Sequence, residues 1–126
     1  MPENRRPLSV TVISVVLIAA GAIGFVYHLA DFKAQHSAHS ELVWISVVRL
    51  AAIVCGAYLL IGKNWARWAA LAWMAYHVIV SAFHSRFELA VHAAIFAILA
   101  YALLRPEASR YFCVSTAPAG RDAEGY

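Results

Sequence analysis

The chain has 126 residues, 63% of them hydrophobic and 13% charged, with a formal net charge of +3. A soluble domain spends about a quarter of its residues on charge, so this composition argues against an ordinary water-soluble fold, and the length leaves room for one domain. The basic residues are spread over ends and links, with no basic helix face and no RNA-binding aromatic motif, which argues against a nucleic-acid partner.

Residues 8–30 form the first apolar stretch, close to the length of about 20 residues that a helix needs to cross the hydrocarbon core. Arg5-Arg6 before it gives the outline of a signal peptide. The run exceeds the usual apolar region of about 7–15 residues, and no small-x-small site closes it, so a retained first helix is predicted. A polar loop, Asp31 to Glu41, leads to a second stretch at residues 42–62. Arg49 lies inside it, eight residues from Glu41, or about 12 Å at 1.5 Å per residue. A central Arg costs at least about 2.5–3.5 kcal/mol on insertion scales. It therefore requires acceptors: Glu88, Asp31, backbone carbonyls or an anionic ligand.

Gly62-Lys63 links to a third stretch at residues 65–83. Asn64 is its expected N-cap, and Trp65 and Trp68 suit a membrane interface, as does Trp44 at the start of the second stretch. A turn at Ser85-Arg86 precedes the fourth stretch, residues 87–104. Pro106 then ends or redirects the helix. Residues 105–126 are expected to form a cytoplasmic interfacial segment, with Tyr111 and Phe112 beside Arg105 and Arg110, and a flexible tail. Small residues at helical spacing, Ala20 and Gly24, Ala66 and Ala70, Ala93 and Ala97, predict close helix contacts in lipid.

The predicted fold class is an all-α, four-helix transmembrane bundle in one membrane domain. The short links force an up-down-up-down course. Seven Lys and Arg fall on the side of the termini and two on the other, with Arg49 within a span. The positive-inside rule then makes both termini cytoplasmic. No repeat relates the two halves, which argues against an inverted-repeat transporter. Cys55 and Cys113 are expected to lie too far apart for a disulfide. The lack of a C-x-x-C argues against a thiol-disulfide enzyme of the four-helix, quinone-linked kind.

All six histidines fall on the half of the chain predicted to face outward. His77, Ser81 and His84 follow one face at i, i+4 and i+7, and Glu88 and His92 share a face at i and i+4. His77 and His92 are the residues expected to hold a cofactor such as haem. His28, His84 and Glu88 are the set expected for a transition metal, since imidazole is a common ligand for such ions. Glu88 is the expected partner for a second imidazole nitrogen. The competing reading, which carries more weight, makes His77 and His92 interhelical polar glue. Gly62-Lys63 lacks the other positions of a phosphate loop, and Ser81 or Ser85 beside His84 lacks a third orienting group for nucleophilic catalysis.

The stretch Gly62-Lys63-Asn64-Trp65-Ala66-Arg67-Trp68, with His77, Ser81 and His84 following and Arg105-Pro106 and Tyr111-Phe112 closing the chain, resembles a group of small four-span bacterial integral membrane proteins of unassigned function. The resemblance implies a multi-pass protein of the bacterial inner membrane and transfers no catalytic residue. The favoured function is a non-enzymatic accessory or interaction subunit. Its partners would be the lipid bilayer and either a membrane protein or a second copy of the chain. The alternatives are a haem- or transition-metal-binding protein and a small anion or lipid channel or transporter centred on Arg49.

Overall fold

The structure, a computed structural model, describes residues 5–34 and 39–116, and all its regular structure there is helical. Five helices follow one another: α1 (Leu8–Ala34), α2 (His39–Ile61), α3 (Asn64–Ala82), α4 (Arg86–Leu104) and α5 (Pro106–Thr116). The expectations for His36 and for a flexible tail beyond residue 116 lie outside the described residues. Helix α1 packs along α2 and α3 along α4, with α2 meeting α3, while α1 and α4 touch over a much shorter stretch.

Three helices, α1, α2 and α4, are long and apolar enough to cross a membrane. Helix α3 has 19 residues, but Arg67, His77 and three tryptophans, Trp65, Trp68 and Trp73, make it less apolar. The long helices turn large apolar side chains outward: Leu8 and Phe87 are 78% exposed, Tyr27 74% and Tyr101 71%. Water would oppose that surface over most of the molecule, whereas lipid solvates it. The chain is a multi-pass membrane protein in contact with the bilayer.

The α2–α3 link shows how sequence sets the hairpin. Gly62 has φ 85°, a left-handed conformation that costs glycine little. Its N–H donates to the Leu59 carbonyl at 3.1 Å and the Lys63 N–H donates to the Tyr58 carbonyl at 3.1 Å, which is the Schellman ending of a helix. Asn64 does not cap α3. The capping position belongs to Lys63, which makes no side-chain cap bond, and the Asn64 Oδ1 is buried without a partner. The cap that does form is at α4, where the Ser85 hydroxyl accepts from the Glu88 N–H at 3.1 Å.

Close helix contact rests partly on other small residues than expected. Ala66 and Ala70 are fully buried, but Ala20, Ala93 and Ala97 are exposed. In α1 the contact falls to Gly21, where an added Cβ would lie 2.8 Å from the Arg49 carbonyl oxygen of α2. Gly56 reciprocates from α2, since a Cβ there would lie 2.8 Å from the Ser14 carbonyl oxygen of α1.

Helix α5 packs onto the end of the fold where α3 begins, with Ala108, Tyr111 and Phe112 buried. Arg67, itself buried, donates to the Ser109 hydroxyl at 3.1 Å and lies over the rings of Trp68 and Phe112. The Tyr111 hydroxyl donates to the Leu60 carbonyl at 2.9 Å, which also receives Arg6 at 3.1 Å. Fully buried Leu59, Leu103 and Phe112 complete this end.

Candidate functional site

At the end of the fold away from α5, the first four helices leave an open cleft of about 310 Å³. Helix α1 contributes His28, α2 Trp44 and Arg49, α3 Tyr76, His77 and Ser81, the α3–α4 turn His84, and α4 Glu88 and His92. Each residue singled out from the sequence as a candidate ligand, and Arg49 with them, lines this cleft.

Its wall is built from side chains that answer each other's hydrogen bonds. The Trp73 indole N–H donates to the Val48 carbonyl at 2.9 Å, tying α3 to α2. The Trp73 ring lies against His77 with centroids 4.1 Å apart. Trp44 donates to the Tyr76 hydroxyl at 2.8 Å, a second tie between the same helices. Ser81, buried, donates to the His77 carbonyl at 2.7 Å and meets His92 Nδ1 at 2.8 Å, joining α3 to α4. The i, i+4 spacing explains a pattern shared by three histidines. His77 Nδ1 lies 2.9 Å from the Trp73 carbonyl, His84 Nδ1 2.9 Å from the Val80 carbonyl, and His92 Nδ1 2.8 Å from the Glu88 carbonyl. A carbonyl only accepts, so each Nδ1 carries the proton of that bond. Glu88 therefore supports His92 through its backbone, not through the carboxylate expected from the sequence.

The histidines meet as a stack. The rings of His77 and His92 are 6.0 Å apart and inclined at 25°. Among the described residues, no three His, Cys, Asp or Glu side chains come close enough to hold a metal ion. His28, His84 and Glu88 line the same cleft but do not converge as a three-donor ligand set. Cys55 is buried and Cys113 exposed, and no disulfide joins them.

Arg49 is different. It lies over Gly24 of α1 so closely that a Cβ at that glycine would come within 2.7 Å of the guanidinium carbon. Neither Glu88 nor Asp31 pairs with it, and among the described residues it has no hydrogen-bond or ion-pair partner. Its guanidinium brings five N–H donors to the cleft. Sequence reasoning located Arg49 and the histidines but missed Tyr76, Trp73 and the seat at Gly24. The available signals were the spacing of Trp73 and His77, i and i+4 on one face, and a glycine one turn before His28.

No protein-family model, curated protein or solved structure matches the chain.

Proposed function

We propose that this is a non-enzymatic accessory protein of a bacterial inner membrane that binds an oxyanion-bearing ligand at Arg49. In this reading α1 to α4 all cross the bilayer as an up-down-up-down four-helix bundle with both termini cytoplasmic. Two features support α3 as the fourth span. It has 19 residues, and its costly groups avoid lipid, with Arg67 and Ser81 buried and His77 on the cleft. The excess of Lys and Arg on the α5 side supports the orientation, so the cleft opens in the outer half.

The observation that carries the proposal is the Arg49 guanidinium, unpartnered among the described residues, seated on Gly24 and lining the cleft. A charge at that depth persists only where something compensates it, and a planar fork of donors matches a carboxylate or phosphate. The fold also favours binding over conduction. The end opposite the cleft is filled by Leu59, Leu103 and Phe112, which offer a permeating ion no polar step.

The test is a titration of the purified protein in detergent with hexanoate, a carboxylate with little tail. Saturable binding is expected, weakened about 10- to 100-fold by Arg49→Ala, the loss of a charge-assisted bond, and less by Arg49→Lys. Equal affinity in the wild type and Arg49→Ala would overturn the proposal.

A further inference from the structure

The polar cleft does not end at Arg49, His77 and His92. The same three residues form one end of a second cavity of about 420 Å³, which runs between α1 and α4 where those helices barely touch. The rest of its lining is almost entirely apolar: Val12, Val16 and Leu17 of α1, Met74 of α3, and Ile95 and Leu99 of α4 are among it. Its α1 wall runs from Ala20 to Val12, eight residues or about 12 Å at the helical rise. A strong donor with no partner therefore stands at the head of an apolar trough on one side and faces a small polar cleft on the other.

We propose that these two cavities together bind a long-chain carboxylate, with the carboxylate on Arg49 and the alkyl chain in the α1–α4 groove. This deepens the anion reading of Arg49 and rests on it. The charge complementarity is specific. Arg49 is the cation lining both cavities, and Glu88, which lines only the outer one, is exposed and lies in the first turn of α4, where the helix dipole favours its charge. Depth selects the head. Arg49 lies about 12 Å inside the boundary marked by Glu41, at 1.5 Å per residue. The phosphate of a bilayer phospholipid stays at the headgroup level, whereas a carboxylate carries no further polar group to hold it there. The geometry of the head also matches: two parallel N–H···O bonds from one guanidinium satisfy both carboxylate oxygens. A single groove accommodates one chain, not two.

The test uses the full chain in phosphatidylcholine nanodiscs with a diazirine-bearing palmitate as probe. Light-dependent labelling is expected on α1 and α4 peptides around Val16 and Ile95. Unlabelled palmitate should compete it away, and hexadecanol, which has the same chain and no charge, should compete about tenfold less well, the share of one charge-assisted bond. Val16→Trp puts a large ring into the groove at a position already 58% exposed, so folding is preserved. It should lower palmitate labelling severalfold while leaving hexanoate binding unchanged. Equal competition by hexadecanol or by a neutral quinone, or labelling indifferent to Val16→Trp, would overturn the inference. If hexanoate still binds in an Arg49-dependent manner, those results leave the anion site standing and remove only the chain. Loss of hexanoate dependence on Arg49 removes both.

Discussion

Two glycines of α1, one turn apart, should respond in opposite ways to the same substitution. A Cβ at Gly21 would lie 2.7 Å from Ile53 Cγ1, 2.8 Å from the Arg49 carbonyl oxygen and 3.3 Å from the Ala52 Cβ. Apolar atoms prefer about 3.5–4.0 Å, and the carbonyl oxygen belongs to a rigid helix, so Gly21→Ala forces α1 and α2 apart by several tenths of an ångström. Overpacking of this kind costs about 1–3 kcal/mol, and alanine returns about 1 kcal/mol of helix propensity. The net expectation is a loss of about 1–2 kcal/mol. At Gly24 the Cβ would also meet atoms at 2.7–2.8 Å, but all three belong to the Arg49 guanidinium. A long side chain moves at a rotamer cost of about 0.5–1.5 kcal/mol, which the same propensity gain offsets, so Gly24→Ala should lie within about 0.5 kcal/mol of wild type. The assay is unfolding in mixed micelles followed by circular dichroism, paired with hexanoate titration. Gly21→Ala should lower stability. Gly24→Ala should keep stability and weaken binding, because the guanidinium loses its seat. Equal destabilisation by both substitutions, or unchanged binding in Gly24→Ala, would refute the reasoning.

Arg67→Ala removes the bond to Ser109 and the contacts with Trp68 and Phe112. It should cost about 2 kcal/mol and speed proteolysis within α5, and an unchanged cleavage pattern would mean that α5 is held by its apolar face alone. Ser81→Ala should cost about 0.5–1 kcal/mol in the same unfolding assay, since His92 keeps its bond to the Glu88 carbonyl. Ser85→Ala, which removes the α4 cap, should cost about 1 kcal/mol, and no change would mean that water replaces the hydroxyl. Purified from its native membrane, the protein should carry no stoichiometric metal, because among the described residues no three His, Cys, Asp or Glu side chains come together; a stoichiometric metal would make the cleft histidines ligands.

Helix positions were legible because long apolar runs carry their own boundaries. Gly62 and Pro106 punctuate the chain where α2 and α4 end, and residues 62–63 leave α3 nowhere to go but back along α2. The single membrane-length pattern that weakened on inspection is α3. Trp73 and His77 lower its hydropathy although they serve contacts inside the fold, and Trp65 and Trp68 lower it from an exposed face. The polar cluster was legible as well, since lipid makes any Arg or His in a long apolar helix conspicuous. What periodicity could not supply was the partner of each group. Glu88 and His92 at i and i+4 suggest a carboxylate–imidazole pair, yet in a helix the carbonyl four residues back is closer to His92 than the side chain. The small-residue pattern marked Ala20 and Gly24 in α1, but only the rotation of α1 against α2 decides that Gly21, not Ala20, meets the Arg49 carbonyl. The groove behind Arg49 depends on α1 and α4 failing to close, and no local sequence feature records that gap.

Native mass spectrometry of the protein released from a mild detergent tests the central claim most directly. The account predicts a one-to-one adduct with the mass of a long-chain carboxylic acid in the wild type, strongly depleted in Arg49→Ala and partly kept in Arg49→Lys. A wild-type protein that carries no such adduct after purification with added palmitate, or one whose adduct persists undiminished in Arg49→Ala, would contradict it.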